Sequence, residues 1–127
     1  MKLQIKEFAA LVGVSVRTLH YYDEIGLLAP ASVDAQSGYR YYDDASLARM
    51  QEILFYRELD FPLKEITALL ASPNYDKTQA LAAQKELLIL KRDRLDQLIA
   101  AIDSAEKGVI DMNAFDNSAF EAKRDAY

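Results

Sequence analysis

Apolar residues at the start of the chain recur at the spacing of two short helices. The stripe of the first helix consists of Ile5, Phe8, Ala9 and Val12. Its three- and four-residue spacing is that of one helix face, and Gly13 ends the helix. Ser15 can cap a second helix that runs to Gly26. The apolar side chains of this second helix are Val16, Leu19 and Tyr22. The pattern predicts two helices joined by a tight turn.

The segment from Leu27 to Tyr42 has the pattern of a β-hairpin. Pro30, Asp34 and Gly38 lie between short apolar or aromatic runs, and residues of these types favour turns. We therefore expect a small hairpin with a loop of several residues.

Two further helices are expected after the hairpin. Asp43 or Asp44 can cap a helix that ends near Asp60, and Pro62 suits the first turn of a shorter helix. The apolar faces are Leu47, Met50, Ile53 and Leu54 in the longer helix and Leu63, Ile66, Leu69 and Leu70 in the shorter one. Residues 72–74, Ser-Pro-Asn, close this part of the chain.

A long helix is predicted for residues 76–107, which contain neither glycine nor proline and are rich in good helix formers. At ~1.5 Å per residue it would be roughly 48 Å long. An apolar residue recurs at every seventh position, but Gln84 and Lys91 occupy the companion positions in the first half. The predicted dimerisation seam consists of Leu81, Leu88, Leu95, Leu98 and Ile102.

The chain therefore divides into three parts. Residues 1–72 are expected to form a winged helix-turn-helix with a small β-hairpin wing, and residues 76–107 a long dimerisation helix. Residues 108–127 are either a linker with a short helix from Ser118 or the start of a further domain. The expected fold class is mainly α, and 127 residues with 51 % apolar side chains can bury a modest core.

Composition excludes several classes of function. The chain has no cysteine and one histidine, His20, so disulfides, thiolate sites and imidazole zinc clusters are not expected. It lacks an apolar run of about eighteen residues and a signal-peptide pattern, which favours a cytoplasmic protein without membrane contact. Phosphate-binding glycine loops and nucleophile elbows are also missing, so neither an enzyme nor a cofactor is expected.

The net charge of −5 counts against nucleic-acid binding, because Lys and Arg supply most of the affinity for phosphates. The first seventy residues contain seven basic and ten acidic side chains, so binding would depend on a few well-placed groups. Ala9 where the first two helices cross, Gly13 at the turn and Leu19 beneath the second helix nevertheless fit a DNA-binding helix-turn-helix. The same pattern also fits a two-helix hairpin in any helical domain.

Candidate DNA contacts lie on the second helix and the wing. The outward side of the helix carries Ser15, Arg17, Thr18, His20 and Tyr21. The end of the hairpin carries Tyr39, Arg40 and Tyr41, and Arg57 of the third helix is a further candidate. Such side chains can contact phosphates or base edges. Tyr22 is expected in the core, one or two wing aromatics are expected only to seal the sheet, and Arg57 suits a solvated surface equally well.

Two runs of residues resemble a known signature. Residues 14–28, Val-Ser-Val-Arg-Thr-Leu-His-Tyr-Tyr-Asp-Glu-Ile-Gly-Leu-Leu, and residues 38–42, Gly-Tyr-Arg-Tyr-Tyr, resemble the signature of the MerR family of transcription regulators. The likeness covers about residues 1–107, and residues 51–61 and 72–76 resemble its Mta/TipA-like branch.

This resemblance implies a homodimer joined by an antiparallel coiled coil of the long helices. It implies binding to a pseudo-palindrome in double-stranded promoter DNA, between the −35 and −10 elements, with RNA polymerase at the same promoter. Activation would follow from bending and untwisting an overlong spacer, at a cost of about 1–6 kcal/mol. The family residues carried over are Arg17, His20, Tyr21, Tyr39, Arg40 and, with less weight, Arg57.

The resemblance also bears on ligands. Metal-sensing members use cysteines near the end of the long helix, so the metal-sensing branch is excluded here. TipA-like members continue into a helical domain that binds drugs or peptides, and residues 115–127 resemble its opening. The chain is then the N-terminal part of a longer regulator or a naturally short, constitutively active form, and a drug or peptide ligand is expected only where that domain exists.

Two other interpretations share these residues. In the first, the chain is a protein-interaction module whose long helix is the active part. In the second, it is an architectural DNA-binding protein without direct transcription control.

Overall fold

The first two helices form where their apolar stripes predict them. In the computed structural model, which describes all 127 residues, α1 spans Ile5–Val12 and α2 spans Val16–Glu24. Gly13 ends α1 with φ 74°, a left-handed conformation that glycine adopts without strain. The Ser15 side chain caps α2 by accepting a hydrogen bond of 3.0 Å from the backbone N–H of Thr18. The predicted helix-turn-helix is therefore present.

A three-stranded antiparallel sheet forms the wing, and one of its strands was not predicted. The strands, in the spatial order β1-β3-β2, are β1 (Leu3–Gln4), β2 (Ser32–Val33) and β3 (Arg40–Tyr42). The predicted hairpin is β2 with β3, where Val33 lies opposite Arg40. On the other edge of β3, Leu3 lies opposite Tyr42. A two-residue strand that leads straight into a helix is too short to show alternation, so the sequence pattern contains no signal for β1.

Two more helices complete this part of the chain. They are α3 (Asp44–Glu58) and α4 (Leu63–Ala71). Of the two candidate caps for α3, Asp43 is the one used: its carboxylate accepts from the backbone N–H of Ser46 at 3.0 Å. Pro62 is the N-cap of α4 and not its first residue, a small shift at an end where helix bounds vary.

Residues 1–75 form one compact unit with its own core. Its most deeply buried side chains are Phe8, Leu19, Tyr22, Leu27, Tyr42, Met50, Ile53, Tyr56, Leu59 and Ile66. Phe8 of α1 stacks on Tyr42 of β3, with ring centroids 4.5 Å apart and ring planes within 12° of parallel. This contact ties the helix-turn-helix to the wing. The expectation that Tyr22 belongs to the core is confirmed.

Residues 76–127 form a second unit built on the long helix α5, Lys77–Glu106. The Asp76 carboxylate caps it by accepting from the backbone N–H groups of Thr78 and Gln79 at 3.0 and 3.2 Å. The helix is unbroken over its 30 residues, as its composition predicts. None of the helices combines the length and apolarity needed to cross a membrane.

The last twenty residues fold back along α5. Met112–Phe115 form a turn of 3₁₀-helix, and Ser118–Asp125 form α6, which begins at the predicted position. The Tyr127 hydroxyl donates to the backbone carbonyl of Ala80 at 3.3 Å, a contact between residues 47 positions apart. A linker was one expectation for this segment, and a local pattern could not predict its path because such distant contacts determine it.

Candidate nucleic-acid interface

The predicted contacts on α2 lie together on its outward side. Arg17, His20 and Tyr21 are exposed and follow one another at the spacing of a single helix face. The opposite side of the helix is buried through Leu19 and Tyr22, which determines how α2 is oriented in the domain. An exposed helix face of this kind can enter a major groove about 12 Å wide.

The two hydroxyl groups at the start of α2 are already engaged with each other. The Ser15 Oγ and Thr18 Oγ1 atoms lie 2.9 Å apart, and the same Ser15 oxygen caps the helix. Ser15 is exposed, whereas Thr18 is half-buried. Their first role is therefore to begin the helix, and only their remaining hydrogen-bonding capacity is available to DNA.

The aromatic residues of the wing divide between surface and core. Tyr39 is 56 % exposed, and Tyr42 is fully buried against Phe8. Tyr41 is half-buried, and the Lys2 Nζ atom lies 4.5 Å from the centroid of its ring. Of the wing residues, Tyr39 is thus the most accessible predicted contact. Lys2, which sequence reasoning missed, adds a positive charge to the wing because β1 pairs with β3.

The tip of the wing is held by a carboxylate. Asp34 accepts hydrogen bonds from the backbone N–H groups of Gln36 and Ser37 at 2.9 and 2.8 Å. These backbone hydrogen bonds hold the pKa of Asp34 below its ordinary value. Gly38 follows with φ 73°, a conformation that would strain other residues. The turn therefore gives the backbone just before Tyr39 and Arg40 a defined geometry.

The two predicted arginines outside α2 are each bonded to a residue of α2. Arg40 Nη1 donates to Asp23 Oδ2 at 2.9 Å, and Arg57 Nη1 donates to the Tyr22 hydroxyl at 2.8 Å. These partners lie 17 and 35 positions apart in the sequence. Sequence reasoning placed Asp23 within the second helix and Tyr22 in the core, and it identified neither as a partner of an arginine.

The helix α5 carries two apolar stripes, and the predicted seam draws on both. Leu88, Leu95 and Ile102 are exposed along one stripe, together with Ile99, which is 59 % exposed and was not predicted. Leu81 is half-buried. Leu98 is also half-buried and lies on the other stripe. Together with Ile102, it lines a groove of about 520 Å³ between α5 and the segment after Gly108. The exposed surface is therefore the stripe of Leu88, Leu95, Ile99 and Ile102.

Comparison with known proteins points to a single group. Residues 3–73 match the family model described as MerR HTH family regulatory protein, and residues 47–112 match the one described as MerR, DNA binding. Over 103 residues the chain is 50 % identical to the HTH-type transcriptional activator mta of Bacillus subtilis. The aligned residues make up 81 % of this chain and 40 % of that protein. Over 105 residues it is 48 % identical to the HTH-type transcriptional activator TipA of Streptomyces coelicolor, covering 83 % and 41 %.

A solved structure extends the likeness to both units. The crystal structure of the HTH-type transcriptional regulator SkgA from Caulobacter crescentus matches with a TM-score of 0.78 at 41 % identity, over 99 % of this chain and 96 % of that one. The chain spans about two fifths of the length of the sequence relatives described above. All three proteins are named as transcription regulators and none as an enzyme, in agreement with the expectation from composition.

Proposed function

The chain belongs to the MerR family of helix-turn-helix regulatory proteins, and on that premise we propose that it binds promoter DNA as a homodimer and activates transcription in the cytoplasm. One observation carries the proposal: α2 exposes Arg17, His20 and Tyr21 on one face, while Arg40 and Arg57 are bonded to the same helix. A groove-sized helix flanked by two cations is suited to duplex DNA.

In the proposed complex α2 enters the major groove and the wing meets the flanking backbone. Arg17 and Tyr21 can reach base edges or phosphates, and Tyr39 and Arg40 can reach phosphates. Few cations serve this surface, since acidic residues outnumber basic ones in the first seventy positions. Two copies of the surface are therefore needed for firm binding.

Removal of the two central arginines tests DNA binding. We expect Arg17→Ala combined with Arg40→Ala to nearly abolish binding to DNA selected from a random pool. The slope of log affinity against log salt should flatten by about 0.9 for each phosphate that the variant no longer neutralises. Lys107→Ala, which removes a positive charge from the second unit, is the control and should leave both quantities unchanged. Equal affinities for all three proteins, measured by fluorescence anisotropy, would contradict the proposal.

The exposed stripe of α5 supports the proposed dimer. Leu88, Leu95, Ile99 and Ile102 are separated by seven, four and three residues in turn, so they lie on one side of the helix. Exposed apolar residues in such a row are unfavourable in water, and pairing with the same stripe of a second, antiparallel copy would bury them.

The proposed mechanism of activation is distortion of the promoter. Bending and untwisting the centre of the site would bring the −35 and −10 elements of an overlong spacer into phase for RNA polymerase, at a cost of about 1–6 kcal/mol. On a reporter promoter with this spacer, we expect transcription only when the protein is present. When the spacer is shortened to ordinary length, transcription should become independent of the protein. A requirement for the protein at both lengths would indicate direct recruitment of polymerase instead.

A further inference from the structure

We propose that Tyr22 and Asp23, in the last turn of α2, are positioning residues that hold Arg57 and Arg40 in place for contact with DNA. This inference rests on the proposed function, because it concerns how the same surface meets phosphate. It assigns a role in binding to two side chains that the sequence pattern did not identify as DNA contacts.

The pair Asp23–Arg40 connects α2 to the wing. The Oδ2–Nη1 distance is 2.9 Å, and the two side chains remain 30 % and 32 % exposed. A guanidinium group has five N–H donors, so the bond to Asp23 leaves others free for a phosphate oxygen. The carboxylate therefore orients the guanidinium plane without blocking it.

The pair Tyr22–Arg57 connects α2 to α3. The Tyr22 side chain is 1 % exposed, and its hydroxyl accepts from Arg57 Nη1 at 2.8 Å. The buried ring gives that hydroxyl a well-defined position. Because a neutral phenol accepts the bond, the positive charge of Arg57 remains uncompensated by this partner and can act on a phosphate.

Adjacent residues on a helix point about 100° apart, which lets Tyr22 and Asp23 reach two different elements. Arginines from β3 and α3 are thus bonded to the helix that carries Arg17. Long side chains lose rotamer freedom when they bind, and part of that loss is already incurred in the free protein when a partner holds them. The two bonds therefore favour binding in one geometry, that of a specific site.

A simpler electrostatic interpretation makes the opposite prediction for Asp23. An acid near the DNA surface repels phosphate, so its removal should tighten binding. If Asp23 positions Arg40, Asp23→Asn should instead weaken binding to the selected DNA, by about three- to tenfold. Glu24→Gln is the matched control, since Glu24 is the exposed neighbour and the change in charge is the same. Tighter binding by both variants would overturn the positioning role of Asp23.

Tyr22 is tested by removing its hydroxyl alone. Tyr22→Phe should weaken operator binding by about three- to tenfold while the ring still fills the core. Tyr75→Phe is the control for loss of a buried phenol bond, because the Tyr75 hydroxyl donates to Glu52 at the same distance, 2.8 Å, within the same unit. Operator affinity that falls equally in both variants would indicate a general loss of stability and overturn the role of Tyr22.

Double-mutant cycles in binding complete the experiment. Measured at low salt, where single variants still bind, Asp23→Asn should have no further effect in an Arg40→Ala background. Tyr22→Phe should likewise have none in an Arg57→Ala background. Additive losses in either cycle overturn the inference. If Arg17→Ala leaves operator binding unchanged, the proposed function itself fails. If Arg17→Ala weakens binding but the cycles are additive, only the positioning role fails.

Discussion

Two tyrosine hydroxyls in the first unit lie in opposite situations. That of Tyr22 accepts a hydrogen bond from Arg57, whereas that of Tyr42 is buried without a hydrogen-bond partner. A buried polar group left unpaired is unfavourable by about 1–3 kcal/mol. Burial also raises the pKa of the Tyr42 phenol above its ordinary value, because the phenolate is poorly solvated there.

Replacement of Tyr42 should therefore stabilise the protein. Tyr42→Phe removes the unpaired hydroxyl and keeps the ring that stacks on Phe8. We therefore expect the free energy of unfolding at neutral pH to rise by about 1–3 kcal/mol. A raised folded-state pKa contributes stability that is complete below the unfolded value of 10.0 and is lost as pH rises through the folded value. The advantage of the variant should thus grow above pH 10.0.

Urea denaturation at neutral and alkaline pH measures both effects. Tyr22→Phe provides the contrast, because it leaves Arg57 without its acceptor and should not stabilise the protein. A lower midpoint for Tyr42→Phe than for the natural chain at neutral pH would contradict the prediction.

At the scale of elements, aspartate side chains determine where two helices begin. Asp43 caps α3 and Asp76 caps α5, each by accepting hydrogen bonds from backbone N–H groups of the first turn. At Asp43 the cap is reciprocal, since Ser46 Oγ accepts from the backbone N–H of Asp43 at 3.1 Å. The bonds from Ser46 hold the pKa of Asp43 below its ordinary value of 3.8.

Loss of the Asp43 cap should lower the melting temperature in a pH-dependent way. A depressed folded-state pKa contributes stability that is present above 3.8 and is lost as pH falls through the folded value. Asp43→Ala should have a lower melting temperature than the natural chain at neutral pH, and the two melting temperatures should converge in acid. Asp43→Asn keeps an acceptor oxygen, so its melting temperature at neutral pH should lie between those of the alanine variant and the natural chain. Circular dichroism melts at several pH values test this, and a constant gap between alanine variant and natural chain would refute it.

At the scale of the whole molecule, the acidic net charge of −5 has to be reconciled with DNA binding. Cations on the candidate interface are few, and one of them, Arg40, is paired with Asp23. Affinity should therefore come from two interfaces acting together on two half-sites. In the proposed dimer, the exposed stripe of the second unit would supply the contact between copies, so this unit would be part of the DNA-binding device.

Disruption of that stripe should weaken operator binding through the oligomeric state. Leu95→Asp places a charge at its centre, and we expect a monomer by light scattering with much lower operator affinity. Ala100→Asp is the matched control: the residue is exposed on α5 but lies away from the stripe, so the dimer mass should persist. A dimer of unchanged mass for Leu95→Asp would exclude this stripe as the interface.

The helix-turn-helix, the long helix and the family could be predicted because their signals are local. Three- and four-residue apolar spacing, Ser15 as a cap and the absence of glycine and proline over residues 76–107 act within one or two helical turns. The exposed face of α2 follows from the same periodicity, since Leu19 and Tyr22 occupy the opposite side. The exposure of Arg17, His20 and Tyr21 was predictable for that reason.

The segments that pack against those elements could not be predicted, because they come from distant parts of the chain. Pairing of β1 with β3 brings Lys2 to the wing, and folding of the tail along α5 places Leu98 in a groove while Ile99 stays exposed. Local periodicity indicates which side of a helix is apolar, but not which of two adjacent stripes its own chain will cover.

By itself, the sequence determined the helices, the hairpin of the wing and the residues that α2 exposes, since each depends on neighbours a few positions away. Only the tertiary structure decided that Asp23 holds Arg40 and that Tyr22 holds Arg57, across 17 and 35 positions. Hydrogen bonds of this length and direction arise only when the elements are packed, and no pattern along the chain encodes the geometry of that packing.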